Sequence, residues 1–383
     1  MNNYDSLPHH VYYDASIINN DQSGKKQPPR LNFQDIRSTP VLSSPELYEL
    51  SVVRFNLQTA NSLPIWIPSI ELIDNPLSNP NLTTYSFTLS YLDGLTYSSG
   101  QVFVEYIPTN LSEPIPVIGA LRDTIIPYYY VYSFNTIVTM LNNCLNTAFQ
   151  RLSADVEYSS KVLPTQNVPY FEWDNNAQTF ILNADVIGFD SNILNHISIH
   201  CNTALYTLIS SFQAFYNGYN VLTARNYTFN TSEDPRGLNT YIINDTYTVI
   251  QLFQEYSTGA LFTPISSIVF STSLIPVLPS NTAKPSVIDG DGSLVSTGNN
   301  NNISSMITDF EVQENSGYGF SGVLSYTPTA EYRMIDLNNS SSEKINNLDI
   351  TVYWKDQYSN LHPLYLQPGC KCDLKILFRK KKL

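Results

Sequence analysis

The sequence predicts an all-β protein with a few helices, arranged as two consecutive antiparallel halves of about eight strands each. Three observations carry this. The C-terminal stretch is a train of short β-branched and aromatic segments at 323–328, 331–337, 348–356, 362–366 and 372–378, each closed by Asn, Pro, Gly or Ser. Residues 84–91 alternate strictly between polar and apolar, the period of a half-buried strand. The period lengthens to that of a helix in two places, at 135–152 and again from Leu205 to Tyr216.

Residues 1–48 read as an N-terminal arm with a first strand at 11–18, followed by a polar loop at 19–29. The first half spans 49–218. Its strands are expected at 50–57, 84–91, 101–107 and 128–134, with Pro64-Ile65-Trp66-Ile67-Pro68 as a proline-bounded connection. Between 135 and 152 the apolar positions are 137, 141, 144, 145, 148 and 152, one face of a helix for which Asn135 is the expected N-cap. Strands at 170–173 and 179–183 join through Asp174-Asn175-Asn176, and another covers 196–201. A second helix is expected to carry Leu205, Leu208, Ile209, Phe212, Phe215 and Tyr216 on one face, with Gly218 as its C-cap. Ile137, Leu141, Leu145, Leu205, Ile209 and Phe212 are therefore predicted to be buried. The second half, 219–383, holds strands at 247–253, 267–272 and 307–312, a Gly/Asn/Ser loop at 280–302, the five C-terminal strands and a basic tail.

Charged residues make up only 14% of the chain, while aromatics reach 13%, with 27 Tyr and 18 Phe. A soluble protein ordinarily carries about 25% charged residues. Such a surface suits large contacts with neighbouring subunits, where aromatics are enriched and Lys and Glu depleted. A codon bias toward Asn, Tyr and Ile gives the same composition. A net charge of −13 argues against nucleic-acid binding by the body of the protein, which needs a basic face. The cations that cluster are Lys25, Lys26 and Arg30 near the start and Arg379, Lys380, Lys381 and Lys382 at the end. No secretory signal is read at the start and no window approaches the ~18 apolar residues of a membrane span. The Asn-X-Ser/Thr triplets are then expected to be chance. Cys144, Cys201, Cys370 and Cys372 form no disulfide framework, and Cys144 and Cys201 read as buried thiols.

Candidate chemistry is sparse. His196 and His200 flank a strand beside Cys201 and offer a weak metal site. His362, Cys370 and Cys372 offer another, but lack a fourth ligand and the usual Cys spacing. Asp289-Gly290-Asp291-Gly292 resembles the start of a calcium loop, yet Ser293, Leu294 and Asn300 stand where an EF-hand needs a ligand, Gly and Glu. Glu105, Glu172, Asp185 and Asp309 lie on or beside strands, where paired acids would suit glycan cleavage. Arg54 and Arg333 sit within apolar strands and are expected to find partners in the core or at an interface. No nucleophile or phosphate-binding motif is present. No catalytic residue, cofactor or metal is expected.

Two successive eight-strand halves, helices inserted in the first, and a proline-flanked strand after Arg54-Phe55 combine with the closing 349–356 and 375–381 segments. On these the chain resembles the double jelly-roll capsid proteins of tailless icosahedral viruses, the lineage of tectivirus-like phages, virophages and adenovirus hexon. The resemblance implies two consecutive eight-stranded antiparallel jelly rolls and a structural protein of the virion, assembled inside the host cell. It implies a major capsid protein, a homotrimer of pseudo-hexagonal outline that tiles the shell with itself and other capsid proteins and takes no small-molecule substrate. Arg379, Lys380, Lys381 and Lys382 would then point inward for weak contact with genome or membrane. Two alternatives stand beside it. One is a minor or vertex (penton) protein, a single jelly roll with a projecting domain that forms pentamers. The other is a carbohydrate-binding or glycan-cleaving β-sandwich.

Overall fold

Two units nest in the sequence rather than follow one another. The computed structural model describes residues 7–21, 29–58, 63–68, 84–108, 127–218, 224–243, 246–277, 287–288, 294–295, 305–312, 323–328, 333–337, 344–356 and 361–382. Unit 1 takes both ends of the chain, Met1–Leu63, Pro264–Glu314 and Phe320–Leu383, and unit 2 is built on Pro64–Thr263.

Eight strands frame unit 1. They are β1 (His10–Ile18), β2 (Asn32–Ile36), β3 (Tyr48–Gln58), β4 (Ile265–Thr272), β5 (Ser305–Glu311), β6 (Val323–Tyr326), β7 (Asn347–Asp356) and β8 (Lys371–Lys380). One sheet runs β1-β8-β3-β6 and the other β5-β4-β7-β2, all antiparallel. In each sheet the strands pair as the arms of one long hairpin would: β1 with β8, β2 with β7, β3 with β6, β4 with β5. Wrapping that hairpin into two sheets gives the double Greek key of a jelly roll. Alternation supplies the core. Phe55 and Leu374 of one sheet and Ile268, Phe270 and Val352 of the other are all at most 1% exposed. Phe55 meets Phe270 edge to face at 5.0 Å, and Phe310 continues the stack to Tyr326 at 4.5 Å. Asp349 pins the turn that leaves β4. It accepts from Thr272 Oγ1 (2.6 Å), Ser273 N (2.9 Å) and Oγ (2.7 Å), and Leu274 N (2.8 Å). Burial works to raise this carboxyl, but the donated hydrogen bonds outweigh it and hold it below the usual range.

Unit 2 is also built on two antiparallel sheets. The larger runs Ala214–Tyr216, Tyr227–Phe229, Ile197–Cys201, Ser86–Asp93, Leu95–Ser98, with Val102–Phe103 also on Ser86–Asp93; the smaller runs Thr240–Ile243, Tyr247–Phe253, Thr179–Asp185, Tyr170–Asp174. Phe87 of the first meets Phe171 of the second at 5.8 Å. Helix α1 (Phe134–Tyr158) lies against strands of both sheets. It starts at Ser133, whose hydroxyl accepts from the Thr136 amide, and it buries Ile137, Met140, Leu141, Cys144, Leu145, Ala148, Phe149, Leu152 and Val156. Asn142 on α1 satisfies the backbone at Phe171, donating to its carbonyl (3.0 Å) and accepting from its amide (2.7 Å). Two short helices follow, α2 (Val186–Phe189) capped by Asp185 and α3 (Thr203–Leu208) capped by Asn202.

The all-β character with few helices is as the sequence predicts, and all six predicted core residues are buried at 3% exposure or less. The division at 218/219 is not where the units part. Residues 219–383 supply only β4–β8 of the roll, and β1–β3 come from the other end of the chain. Local periodicity does not encode which strands pair when the partners lie at opposite ends. Further details also differ. Residues 128–134 hold a 3₁₀ turn, Pro127–Tyr129, and an isolated bridge of Val131 to Trp66 rather than a strand. The N-cap of α1 is Ser133, not Asn135. The second helix ends at Leu208, because Ser211 adopts φ +74° and breaks it, and Ala214–Tyr216 is a strand. The 280–302 loop lies largely outside the described residues.

Two substitutions test this packing. Leu141→Ala should cost about 2–5 kcal/mol through the cavity it leaves, read as a fall in denaturant midpoint. A Cβ on Gly188 would come 2.1 Å from Thr165 Cγ2, and Thr165 is tied to Asp185. Gly188→Ala should therefore destabilise by about 1–3 kcal/mol. Adding Thr165→Ser, which removes the clashing methyl and keeps the hydroxyl, should restore part of the loss, since Thr165 Cβ itself would lie 2.9 Å from the new Cβ. Equal midpoints for the single and double variants would contradict the contact.

Candidate assembly surfaces

The basic end of the chain is part of the roll. Arg379 and Lys380 are the last residues of β8, two beyond the predicted end, because β1 and β3 are long enough to pair with them. Arg379 donates from Nε (3.0 Å) and Nη2 (2.9 Å) to Glu49, its cross-strand neighbour. Lys381 pairs with Asp336 at 2.9 Å. Lys380 is 6% exposed and its amide donates to His9 O. Lys382 is exposed. Of the N-terminal cations, Lys25 and Lys26 lie outside the described residues, and Arg30 bridges to Tyr365 through its backbone.

The other candidate groups are dispersed and committed. Glu105 is exposed. Glu172 accepts from Asn183, which accepts in turn from Gln251. Asp185 caps α2 and accepts from Thr165 and Asn167. Asp309 faces Lys355 (3.3 Å) and Arg333 (3.7 Å). Arg54 is not in the core: it lies on the exposed face of β3, 3.5 Å from Asp14, which also meets Lys375. His362 is buried against Asp356 (3.0 Å) and stacks on Trp354, in the sheet opposite Cys372. Burial pushes the Cys144 thiol up to about 12 and raises Cys201 and Cys372 as well, which keeps all three as unreactive thiols. Asp289 and Asp291 lie outside the described residues. Among the described residues, no three His, Cys, Asp or Glu are grouped to hold a metal.

Edge strands are the surface that stands out, and single-residue motif reading missed them. Tyr12 and Ile18 on β1, Ile36 on β2 and Val323 on β6 are all more than half exposed. In unit 2 the outer strand Ala214–Tyr216 exposes Phe215 and Tyr216, the outer strand Thr240–Ile243 exposes Tyr241 and Ile242, and Leu95–Ser98 exposes Leu95. Natural edge strands are usually blunted by Lys or Pro, since unpaired backbone beside apolar side chains invites association. These edges carry aromatic and β-branched residues in exposed positions, as surfaces covered in an assembly do.

His200, a candidate ligand by sequence, is a structural histidine. Its Nε2 lies 2.8 Å from Ser90 Oγ and its Nδ1 2.8 Å from Thr228 Oγ1. Burial, with help from Arg225 and His196, pushes its pKa down to about 4. Because the folded value lies below the unfolded value, the unfolded chain binds the proton more readily. The contribution to stability is complete above pH 6.5 and is lost as pH falls toward 4. Its size is about 3 kcal/mol at most. Thermal melts from pH 7 to 4 should show a smaller fall for His200→Gln than for the parent; parallel curves would remove His200 as the cause.

The sequence profile of the family described as Sputnik minor capsid protein V18/19 matches residues 11–380. Two Sputnik virophage proteins are similar to parts of the chain. "Uncharacterized protein V18" is 40% identical over 156 residues, 39% of this chain and 87% of its own length. "Structural protein V19" is 26% identical over 220 residues, 56% of this chain and 94% of its own length. A chain of the Sputnik virophage structure solved by cryo-EM is 28% identical with a TM-score of 0.71, covering 98% of this chain and 99% of that one. The mavirus penton protein shares the fold at 17% identity, with a TM-score of 0.55 over 98% of this chain and 100% of that one. The eight-strand roll, the apolar edges and these likenesses converge: the chain belongs to the Sputnik minor capsid protein V18/19 family and is a structural jelly-roll protein of the virion, not an enzyme.

Proposed function

We propose that this protein is a vertex subunit, a penton-type minor capsid protein that assembles as a ring of five, with unit 1 as the shell-forming roll and unit 2 as an inserted domain. The observation that carries this reading is the topology. One complete roll is gathered from both ends of the chain, and Pro64–Thr263 is inserted between β3 and β4. The family's description as minor capsid protein supports a vertex rather than a face of the shell. The likeness to the mavirus penton supports the fold.

Ring closure needs a head-to-tail contact, in which two different patches on each subunit meet. Unit 2 offers two of different character: the Phe215-Tyr216 edge of the larger sheet and the Tyr241-Ile242 edge of the smaller. Each contact would bury more than about 1,000 Å², the order expected of a stable interface. The basic end has little left for genome or membrane, since Arg379 and Lys381 are engaged by Glu49 and Asp336. In this reading Arg379, Lys380, Lys381 and Lys382 serve the roll.

Native mass spectrometry of the full chain should give five subunits. A mass of three would instead favour the pseudo-hexagonal trimer of a major capsid protein, and a monomer at all salt and pH values would overturn assembly altogether. Phe215→Asp with Ile242→Asp should lower the assembled mass and leave the melting temperature of the subunit within a few degrees.

A further inference from the structure

We propose that unit 2 carries a binding site for an oxyanion, a carboxylate, sulfate or phosphate group either free or borne on a sugar, centred on the guanidinium of Arg225. The site lies on the polar face of the larger sheet, opposite the face of Phe87, Leu89 and Ile199. Strand register places its components. Thr88 is opposite His200, and His200 is opposite Thr228; Ser90 is opposite both Ser198 and Ser98. Side chains alternate, so these residues share one face. The result is a field of hydroxyls around one neutral histidine.

Arg225 enters this field without a counter-ion among the described residues. Its Nη2 donates to Ser98 Oγ at 2.6 Å. Its Nε is buried and has no hydrogen-bond partner among the described residues. No ion pair within 4.0 Å reaches it there; Asp155 accepts from the Ser98 amide instead. Burial alone lowers the guanidinium from its usual value, with no acid opposing it. Thr88 Oγ1, on a side chain 1% exposed, is the second orphaned polar atom of the same face.

Buried donors without partners cost free energy, and native structures rarely keep them. Water would satisfy the hydrogen bonds but not the charge. An oxyanion satisfies both, because an Arg fork matches two oxygens of a carboxylate, sulfate or phosphate. Ser90, Ser98 and Ser198 are only partly buried, which leaves a route in from solvent. The chain carries a net charge of −13, so an anion held here needs a specific local site and not a general positive field.

The test is calorimetric titration of the full-length protein, in the oligomer it forms. The probes are sodium sulfate, sodium phosphate and 3′-sialyllactose, against sodium chloride and lactose at equal ionic strength. At least one oxyanion probe should bind, and Arg225→Gln should weaken it by about tenfold or more while Arg225→Lys keeps part of the affinity. Sialyllactose binding more tightly than sulfate or phosphate points to an acid group on a sugar; the reverse order points to the free ion. The proposal is overturned if no probe binds, or if Arg225→Gln binds as the parent does. Where Arg225→Gln does not fold, Ser98→Ala removes the hydroxyl that orients the guanidinium. It should weaken binding several-fold, and unchanged affinity in that variant also overturns the site.

Discussion

The β3–β8 ladder is the contact on which the rest of the structure depends. It runs from Leu57 opposite Cys372 to Tyr48 opposite Lys380. Pairs such as Glu49 and Arg379 are 330 positions apart. Every other strand of that sheet hangs on this pair, β1 on the outer side of β8 and β6 on the outer side of β3. Closing a contact across so much chain looks prohibitive, but loop-closure entropy grows only with the logarithm of loop length, by ~0.6 kcal/mol per doubling. Much of the intervening chain is also not a loop. Pro64–Thr263 has two sheets, helices and its own core, so most of the chain between β3 and β4 is structured.

This explains what the sequence shows and what it hides. A strand's alternation is local, and so Tyr247–Phe253 is found where its pattern places it and β7 and β8 within two residues of theirs. The buried face of α1 is equally local, because 3.6-residue spacing needs no partner to be recognised. Pairing across 330 positions leaves no mark in either strand. The true crossings between units fall at Leu63-Pro64 and Thr263-Pro264. Each is an apolar or β-branched residue before a proline, whereas Gly218 follows Phe212, Phe215 and Tyr216 as the C-cap of a helix would and draws attention instead.

The surface was less legible than the fold, and for a different reason. Phe212, Phe215 and Tyr216 keep helical spacing, so the segment reads as the end of a helix. Only Ser211, in left-handed conformation, turns it into an edge strand with Phe215 and Tyr216 exposed. Arg225 belongs to no motif and follows a stretch that reads as a boundary. Among the described residues no acid pairs with it, which only three dimensions reveal. The basic end shows the opposite case. Four adjacent cations suggest a free tail, yet the strands beside them continue, and Glu49 and Asp336 are placed to meet them.

Composition alone could not separate an assembly surface from codon bias, because both give a chain rich in Tyr, Ile and Asn. Position separates them. Bias acts on codons without regard to where a residue lies in a sheet, and would leave edge and central strands alike. Central strands here are ordinary: Phe270 on β4 and Phe378 on β8 are fully buried. The exposed large apolar residues of the strands sit largely on the outer strands of both units, at Tyr12 and Ile18, Phe215 and Tyr216, Tyr241 and Ile242. A protein selected to remain alone places Lys or Pro at such edges, because a bare apolar edge recruits another chain. This chain keeps Lys375 within the roll against Asp14, and Lys381 against Asp336. Its low charge is thus a matter of placement as well as amount, and the edges free of Lys and Pro are those a neighbour in the shell would cover.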